Sequence, residues 1–599
     1  MSQSPTLRVE PASLLQGRQA YRVPRHGAPM DLILDGSASY PPPAGLLDAM
    51  ASLRADDLAR YPDTTPLVDA LAAYWSLPAQ RILVTAGVDD AIDRLSRAIL
   101  SDGATFLLPT PTFEMLTHYA TMAGGVPKRL PWPVGEPYPT QAVLEAITPE
   151  VKLIVAISPN NPTGSIISPE DIATIAQAAP HAILLLDLAY VEFADHDPTL
   201  LALQWPNIVV THTFSKAWGL PGLRVGYALG DSAVIEWMRA AGEPYAVSTP
   251  SIHLARTQLS EHKAHLDAHT AQVRLERASI ERLFAEHHLP VGRSQANFVF
   301  AQAPDALWVR DALAGMGISI RAFPGQEALA GWLRITCPSD PTAHQRLEHA
   351  LRTVFSPQVM LFDMDGVLVD VSGSYRQSII QTAASYGVTV TGEDIRLAKA
   401  AGDANNDWKL TQRLLAQAGI TAHLDEVTAR FEDLYQGSPT REGLRRRETL
   451  RLDAAWLAAL REQMPLGIVT GRPRSDALRL IEEHQLSHLF DAIVCMEDAP
   501  AKPRPDPVHL ALQKLGASRA WLLGDTPDDL WASRHASVLP IGIIAPGEDP
   551  AKATATLTSA GAARVLHDPA TLMALLMLRP KSTNPRHLPP SLTPTKAMP

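Results

Sequence analysis

Cysteine is scarce in this chain, with only Cys337 and Cys495 among 599 residues. Two thiols so far apart in sequence do not form a metal knuckle and cannot staple a chain of this length, so we expect reduced thiols. Long apolar runs are also lacking, since the best stretch, residues 572–578, is far too short to span a bilayer. The first residues lack the basic and apolar regions of a signal peptide. We therefore predict a cytoplasmic protein with no membrane partner.

An excess of basic charge is absent as well. Lysine and arginine total 52 against 63 for aspartate and glutamate, which gives a formal net charge of −11. Such a chain has no general attraction for nucleic acid, so no nucleic-acid partner is expected and phosphorylated ligands must be bound locally. Hydrophobic residues make up 46% and charged residues 19%, which excludes a wholly disordered or fibrous chain.

Short apolar runs alternate with helical patterns in two regions, which predicts an α/β fold class for both. The strands predicted in the first region are residues 81–85, 105–108, 153–157, 182–186 and 208–210. Near-continuous apolar strands between helices indicate a mostly parallel sheet that is covered on both faces. The strands predicted in the second region are residues 359–362, 466–469 and 520–523, with a helical insertion at about 372–455. We expect a boundary near residue 355 and a disordered, proline-rich tail at 581–599.

Polar residues follow the predicted strands of the first region in a fixed order. The residues in this order are Gly87, Asn161, Asp187, Tyr190, Lys216 and Arg224. Each has an ordinary structural explanation when taken alone, such as a turn, a helix cap or a surface charge. A helix start at Gly87, and a lysine and an arginine among hydroxyls and glycines, favour a bound phosphate. A carboxylate at the end of a parallel strand points to the crevice where ligands bind.

Together these motifs resemble the fold type I, class I and II aminotransferases, and within them the histidinol-phosphate aminotransferase family. The resemblance covers roughly residues 30–355 of a first unit at 1–355. It implies a large domain at about 31–240, a small domain at about 241–355 with an N-terminal arm, and a pyridoxal 5′-phosphate cofactor. Lys216 would bond to the cofactor aldehyde and move protons, and Asp187 would pair with the pyridine nitrogen. The cofactor-binding residues that the resemblance implies are Tyr61, Gly87, Val88, Phe113, Asn161, Asp187, Tyr190, Thr213, Ser215, Lys216 and Arg224.

The same resemblance implies a substrate site and a partner subunit. Arg334 matches the arginine that binds the substrate anion, and Arg321 is a second candidate. Tyr61 matches a tyrosine that reaches the cofactor phosphate of the other subunit, so a homodimer is implied. One departure from the family is Leu188, between Asp187 and Tyr190, where a glutamate is usual.

Acidic residues follow the predicted strands of the second region. Asp363 and Asp365 come after the strand at 359–362, Thr470 ends the strand at 466–469, and Asp525 and Asp529 follow the strand at 520–523. Together with Lys502 they form the four motifs of the haloacid dehalogenase-like hydrolases, a resemblance that covers residues 358–580 with a cap at about 372–455. A calcium loop does not fit, because the later ligand positions are apolar or hydroxyl residues.

This second resemblance implies a phosphatase. Asp363 would be the nucleophile, Asp365 the general acid and base, and Thr470 and Lys502 the phosphate-binding residues. The residues implied to hold Mg²⁺ are Asp363, Asp525 and the backbone carbonyl of Asp365, supported by Asp529 or Asp528.

The two resemblances together predict a bifunctional enzyme of histidine biosynthesis. Its first half would aminate imidazole-acetol phosphate with glutamate, and its second half would hydrolyse the resulting histidinol phosphate. Other combinations remain open: an aminotransferase for another amino acid joined to a phosphoglycolate- or sugar-phosphate-type phosphatase, or a lyase resembling threonine-phosphate decarboxylase. A protein in which one half only senses ligand is a further alternative.

Overall fold

The computed structural model describes residues 12–15, 20, 25–38, 41–101, 103–400 and 406–579. The tail predicted at 581–599 lies outside the described residues. Within the described ranges, no helix combines the length and apolarity needed to cross a membrane.

A seven-stranded mixed sheet is the centre of the first half. The strands of this half are β1 (Leu32–Ile33), β2 (Ile82–Thr85), β3 (Thr105–Thr110), β4 (Val126–Pro131), β5 (Val151–Ile157), β6 (Ile183–Asp187), β7 (Ile208–Thr213), β8 (Gly226–Leu229), β9 (Phe298–Gln302), β10 (Ile318–Ser319), β11 (Arg321–Ala322) and β12 (Trp332–Thr336). The sheet order is β2-β8-β7-β6-β5-β3-β4, and β8 runs antiparallel to both its neighbours. Strands β11, β12 and β9 form a separate antiparallel sheet.

Helices cover both faces of the large sheet. The helices of this half are α1 (Ala55–Leu58), α2 (Thr65–Trp75), α3 (Gly87–Ile99), α4 (Glu114–Met122), α5 (Thr140–Ala146), α6 (Pro169–Ala178), α7 (Thr199–Ala202), α8 (Ser232–Ala240), α9 (Thr249–Glu261), α10 (Lys263–Glu286), α11 (Ala306–Gly315) and α12 (Pro341–Phe355). Because successive strand side chains point to opposite faces, Leu184 and Leu186 of β6 join one apolar cluster and Leu185 joins another.

The second half contains a six-stranded parallel sheet in the order β19-β18-β13-β20-β21-β22. The strands of this half are β13 (Val359–Phe362), β14 (Val369–Asp370), β15 (Gly437–Ser438), β16 (Arg441–Glu442), β17 (Thr449–Leu450), β18 (Leu466–Val469), β19 (Ala492–Val494), β20 (Ala520–Gly524), β21 (Leu539–Ile543) and β22 (Val565–Leu566). Since β13 lies between β18 and β20, the loops that leave these three strands meet at one edge.

The insertion after β13 forms a cap with its own apolar core around Ile379, Leu414 and Phe431. The helices of the second half are α13 (Tyr375–Ser385), α14 (Gly392–Ala400), α15 (Asp407–Gln417), α16 (Leu424–Gln436), α17 (Ala454–Arg461), α18 (Arg474–Glu483), α19 (Asp506–Leu515), α20 (Pro527–His535), α21 (Pro550–Ala560) and α22 (Leu572–Met577). The insertion is not wholly helical, because β15 and β16 pair as an antiparallel hairpin and β17 pairs with β14.

The two halves pack directly against each other. The rings of Trp308 in α11 and Trp521 in β20 lie 5.4 Å apart, edge to face. Trp521 also donates its indole N–H to the carbonyl of Thr353 at 2.7 Å, and Arg534 donates to the carbonyl of Gly315 at 2.7 Å. Residues of both halves therefore belong to one continuous apolar cluster.

Two candidate active sites

Asp187 is the last residue of β6 and lies buried at the carboxyl edge of the large sheet. Its Oδ1 accepts hydrogen bonds from the backbone N–H of Ala189 at 3.1 Å and from the hydroxyl of Thr211 at 3.3 Å. Burial raises the pKa of this carboxyl to about 7. A cation beside Asp187 would therefore stabilise its ionised carboxylate. The protonated pyridine nitrogen of the cofactor would be such a cation.

Lys216 lies in the loop after β7, on the same side of the sheet. Its Nζ is 5.5 Å from the ring centre of Tyr190 and donates to the carbonyl of Gly36 at 3.3 Å. Tyr190 is buried, and its ring packs edge-on against Phe298 at 5.4 Å. The amine of Lys216, the ring of Tyr190 and the backbone at Gly36 thus lie close together.

Groups that commonly bind phosphate lie together at the start of α3. Gly87 has φ +79°, a backbone conformation that favours glycine, and a Cβ there would lie 2.7 Å from Nη2 of Arg224. Ser215 has a buried hydroxyl without a hydrogen-bond partner among the described residues, and Thr213 accepts the N–H of Ser215 at 3.0 Å. Val88 is the second residue of α3. The free helix N–H groups, the orphaned hydroxyl and the guanidinium fit a cofactor phosphate.

Arg334 and Arg321 face each other across the β11–β12 pair and line one cavity together with Phe113 and Asn161. Arg334 donates through Nη1 to Oδ1 of Asn161 and through Nη2 to the carbonyl of Asp35, both at 2.6 Å. Nη1 of Arg321 is buried with no hydrogen-bond partner within the described part of the chain. Two guanidinium groups in one cavity suit an anionic substrate.

Tyr61 is 78% exposed in the single chain, where it stacks on Tyr245 at 4.5 Å between ring centres. Asn160, which the sequence analysis did not select, is buried and ties two loops together. Its Oδ1 accepts from the Thr112 hydroxyl at 2.7 Å, and its Nδ2 donates to the Pro111 carbonyl at 3.0 Å. Asn160 could have been selected from the sequence, because it lies next to Asn161 in the same loop.

Lys502 is the centre of the second site. Its Nζ donates to Oδ1 of Asp363 at 2.7 Å and to the carbonyl of Val469 at 3.0 Å, and it also pairs with Asp529. Although burial opposes it, these two carboxylates raise the pKa of Lys502. Burial raises the pKa of Asp363 to about 7, against the pull of Lys502.

Three aspartates form a cluster beside this lysine. Oxygens of Asp363, Asp525 and Asp529 lie within 4.8 Å of one another. Asp529 is held by a capping box at the start of α20, where its Oδ2 accepts the N–H and hydroxyl of Thr526 at 3.0 and 2.6 Å. Burial and the neighbouring carboxylates raise the pKa of Asp525 well above its usual range. A set of oxygen donors with this surplus of negative charge fits Mg²⁺.

Asp365 and Thr470 complete the predicted set. Thr470 is buried at the end of β18, and its hydroxyl accepts the N–H of Arg472 at 3.1 Å. The carboxylate of Asp365 lies outside the three-aspartate cluster and pairs with Nε of Arg472 at 2.6 Å. Asp528 is buried but is likewise not part of that cluster, which favours Asp529 as the supporting acid.

A cavity beneath the cap opens onto Asp363, Asp365 and Asp525. Its cap side includes Lys399 and Asp407, whose charged atoms lie 3.7 Å apart. This ion pair could not be predicted from the sequence, because the pattern of the cap indicated only helices.

Two family models match the chain. The family model described as aminotransferase class I and II matches residues 33–354, which is more than half of the chain. The haloacid dehalogenase-like hydrolase model matches residues 360–543. Both resemblances stated from the sequence are thereby confirmed.

Individual relatives cover different parts of the chain. An imidazoleglycerol-phosphate dehydratase from Phytophthora nicotianae is 44% identical over 217 residues, which are 35% of this chain, and the chain spans 48% of that protein's length. A histidinol-phosphate aminotransferase from Caldanaerobacter subterraneus subsp. tengcongensis is 33% identical over 287 residues, which are 48% of this chain and 81% of that protein. The crystal structure of histidinol-phosphate aminotransferase from Sinorhizobium meliloti in complex with pyridoxal-5′-phosphate has a TM-score of 0.52 and 25% identity, covering 59% of this chain and 100% of that one. The chain belongs to the aminotransferase class I and II family, and its second half carries a haloacid dehalogenase-like hydrolase domain.

Proposed function

We propose that the first half transfers an amino group from glutamate to imidazole-acetol phosphate, which yields histidinol phosphate and 2-oxoglutarate. This proposal rests on one observation: Lys216, Asp187 and the phosphate-binding groups at the start of α3 lie at one edge of the sheet. The cavity that contains the two arginines lies beside them. The 33% identity to a histidinol-phosphate aminotransferase supports the choice of substrate.

Pyridoxal 5′-phosphate would supply an electrophilic aldehyde and an electron-withdrawing ring at this site. The amine of Lys216 would carry a proton between the substrate carbon and the cofactor. The carboxylate of Asp187, buried and held by Thr211, would keep a proton on the ring nitrogen. Arg334 would bind the carboxylate of glutamate and the phosphate of the imidazole substrate in turn, because a guanidinium fork suits both anions.

We propose that the second half is a phosphatase that hydrolyses histidinol phosphate to histidinol. The cluster of Asp363, Asp525 and Asp529 around Lys502 carries this proposal. These carboxylates would hold Mg²⁺, which would reduce the repulsion between an attacking carboxylate and a phosphate dianion. Asp363 would attack the phosphorus, and Asp365 would protonate the leaving oxygen and then deprotonate the attacking water.

The two reactions share one compound, since the product of the first is the substrate of the second. The similarity of 217 residues to a protein named for another imidazole phosphate supports an imidazole-bearing substrate. We further propose that the chain divides at 355–358 as its sequence predicts and acts in the cytoplasm. A homodimer would cover the exposed side chains of Leu47, Leu58 and Tyr61, which are 67%, 61% and 78% exposed in the single chain.

Two assays on the purified protein test the proposal. The first measures glutamate-dependent formation of histidinol phosphate, against a panel of other amino acceptors. The second measures inorganic phosphate release from histidinol phosphate, phosphoglycolate and sugar phosphates in the presence of Mg²⁺. Preference for the imidazole substrates in both assays is expected. Preference for another acceptor, or carbon dioxide release from threonine phosphate, would contradict the assignment of the first half.

A further inference from the structure

Arg472 is a buried arginine of the second half that neither resemblance assigns to the reaction. It follows Thr470 and Gly471 at the end of β18, and its side chain is 1% exposed. Nε donates to Oδ1 of Asp365 at 2.6 Å, and Nη1 donates to Oε2 of Glu448 at 3.0 Å. The guanidinium therefore joins the proposed general acid to a second carboxylate.

The second carboxylate belongs to the cap. The side chain of Glu448 is 5% exposed, and its Oε1 accepts the hydroxyl of Tyr435 at 3.1 Å. Nη1 of Arg472 also donates to that hydroxyl at 3.3 Å, and the ring centre of Tyr375 lies 4.9 Å from the guanidinium carbon. Residues from α13, α16 and the segment before β17 thus hold Arg472 from the cap side.

The proposed reaction makes two demands on Asp365. In the first step a carboxylate oxygen of Asp363 bonds to phosphorus, the ester P–O bond breaks, and the leaving oxygen takes a proton from Asp365. In the second step water bonds to phosphorus, the bond to Asp363 breaks, and Asp365 takes the water proton as inorganic phosphate leaves. Both transfers require the carboxyl group at hydrogen-bond distance from the reacting oxygen. Its side chain is 25% exposed, so a fixed partner is needed to orient it.

We propose that Arg472 is a positioning residue that holds Asp365 for proton transfer, and that Glu448 and Tyr435 of the cap hold Arg472 in turn. This inference rests on the proposed phosphatase function. A guanidinium is suited to the task because its N–H groups point in fixed directions and can engage two carboxylates at once, whereas an ammonium is a point charge. Packing of the cap would thereby be linked to the orientation of the acid.

The test compares two substrates that differ in their need for an acid. Histidinol phosphate has an alkoxide leaving group that must be protonated, whereas the p-nitrophenolate of p-nitrophenyl phosphate leaves without a proton. For Arg472→Met we expect a fall of about 10²-fold in kcat on histidinol phosphate with little change in KM. The first-turnover release of p-nitrophenol should stay close to that of the wild type. Arg472→Lys should recover part of the loss.

Matched variants separate this role from the alternatives. Arg474→Met alters a neighbouring arginine that pairs with Asp498 at the surface, and it should leave both activities unchanged. Asp363→Asn should abolish both, and activity in that variant would refute the proposed function itself. If Asp363→Asn is inactive, the result for Arg472→Met decides the positioning role. An equal loss of activity on both substrates in Arg472→Met, or no loss, would overturn that role.

A second variant covers the case in which Arg472→Met does not fold, as judged by circular dichroism. Glu448→Gln keeps Arg472 and removes one of its two carboxylate partners. We expect a loss of about 10-fold with the same difference between the two substrates. An equal loss on both substrates in Glu448→Gln, or no loss, would overturn the proposal. Where Arg472→Met folds, the loss in the double variant should equal that of Arg472→Met alone, because both changes act through Asp365. Additive losses would then overturn the proposal.

Discussion

Lys502 and Arg472 are buried cations of the phosphatase half, and each is held between two carboxylates. Lys502 lies between Asp363 and Asp529, and Arg472 lies between Asp365 and Glu448. Removal of one partner leaves an uncompensated buried charge, which costs about 3–5 kcal/mol. Lys502 could be selected from the sequence because its surroundings match a family motif. Arg472 could not, because its role depends on a carboxylate 107 positions away and on cap residues without a motif.

Gly87 supports the most specific prediction for a single residue. In Gly87→Ala the added methyl would lie 2.7 Å from Nη2 of Arg224, at a backbone φ of +79°. The guanidinium of Arg224 would have to move away, and the backbone at this position would be strained. We expect the affinity for pyridoxal 5′-phosphate to fall by at least about 10-fold as a result, which corresponds to about 1.4 kcal/mol of binding free energy. Titration of the cofactor against intrinsic fluorescence measures the change.

The matched control is Gly222→Ala, in the same loop as Arg224. A Cβ at Gly222 would meet no atom within 4 Å. Its cofactor affinity should equal that of the wild type. Equal affinities for both variants would show that the approach of Arg224 to the start of α3 does not form the phosphate site.

Secondary-structure elements were predictable from apolar runs where burial and apolarity coincide. Strand β13 and strand β18 have the predicted bounds, 359–362 and 466–469. Strand β7 was predicted at 208–210 but extends to Thr213. The prediction ended too early because the last three residues of the strand are polar, although they are buried. Thr211 bonds to Asp187 at 3.3 Å, and the ring of His212 lies 3.0 Å from the hydroxyl of Thr199. Polar residues whose partners are distant in sequence give no such signal.

We expect the stability of the fold to depend on pH through Glu192, which lies in the turn after β6. One carboxyl oxygen accepts the indole N–H of Trp218 at 3.2 Å, and the other is buried without a hydrogen-bond partner in the described ranges. Burial raises the pKa of Glu192 from 4.5 to about 8. Because the folded-state pKa is raised, the stability contributed by the neutral acid is full below pH 4.5 and is lost as the pH rises through 8.

Glu192→Gln should remove this dependence. The free energy of unfolding of the variant, relative to that of the wild type, should rise by roughly 1.4 kcal/mol per pH unit between pH 5 and 8. Denaturant unfolding at four pH values in this range measures the difference. Glu236→Gln, on the exposed side of α8, should show none. A difference that does not change with pH would contradict the burial of the Glu192 carboxyl.

The arrangement of the two halves could not be predicted from sequence, because its contacts lack any motif. Trp308 and Trp521 are ordinary apolar positions of a helix and a strand, and Arg534 is one arginine among many. In the folded chain, Arg534 donates to the carbonyls of Gly315 and Pro29 at 2.7 and 2.8 Å. The segment that contains Pro29 continues to Asp35, which accepts from Arg334 at 2.6 Å. The interface therefore supports the aminotransferase site as well as the phosphatase core.

Trp521→Ala should destabilise both halves together. The side chain is fully buried between them, so its truncation should cost about 3–5 kcal/mol. Thermal inactivation of both activities should shift to lower temperature in parallel. Trp237→Ala, at a position that is 51% exposed, should leave both unchanged. Loss of only the phosphatase activity would show that the halves are stabilised independently.

We expect the two catalytic sites of this chain to act in succession on one compound. A single reaction mixture tests this expectation: it contains imidazole-acetol phosphate, glutamate, pyridoxal 5′-phosphate and Mg²⁺, and histidinol, histidinol phosphate and inorganic phosphate are followed over time. The wild type should form histidinol, Lys216→Ala should form neither amine, and Asp363→Asn should accumulate histidinol phosphate. If Lys216→Ala still formed the amines, or Asp363→Asn still formed histidinol, these two residues would not be the catalytic groups of the two reactions.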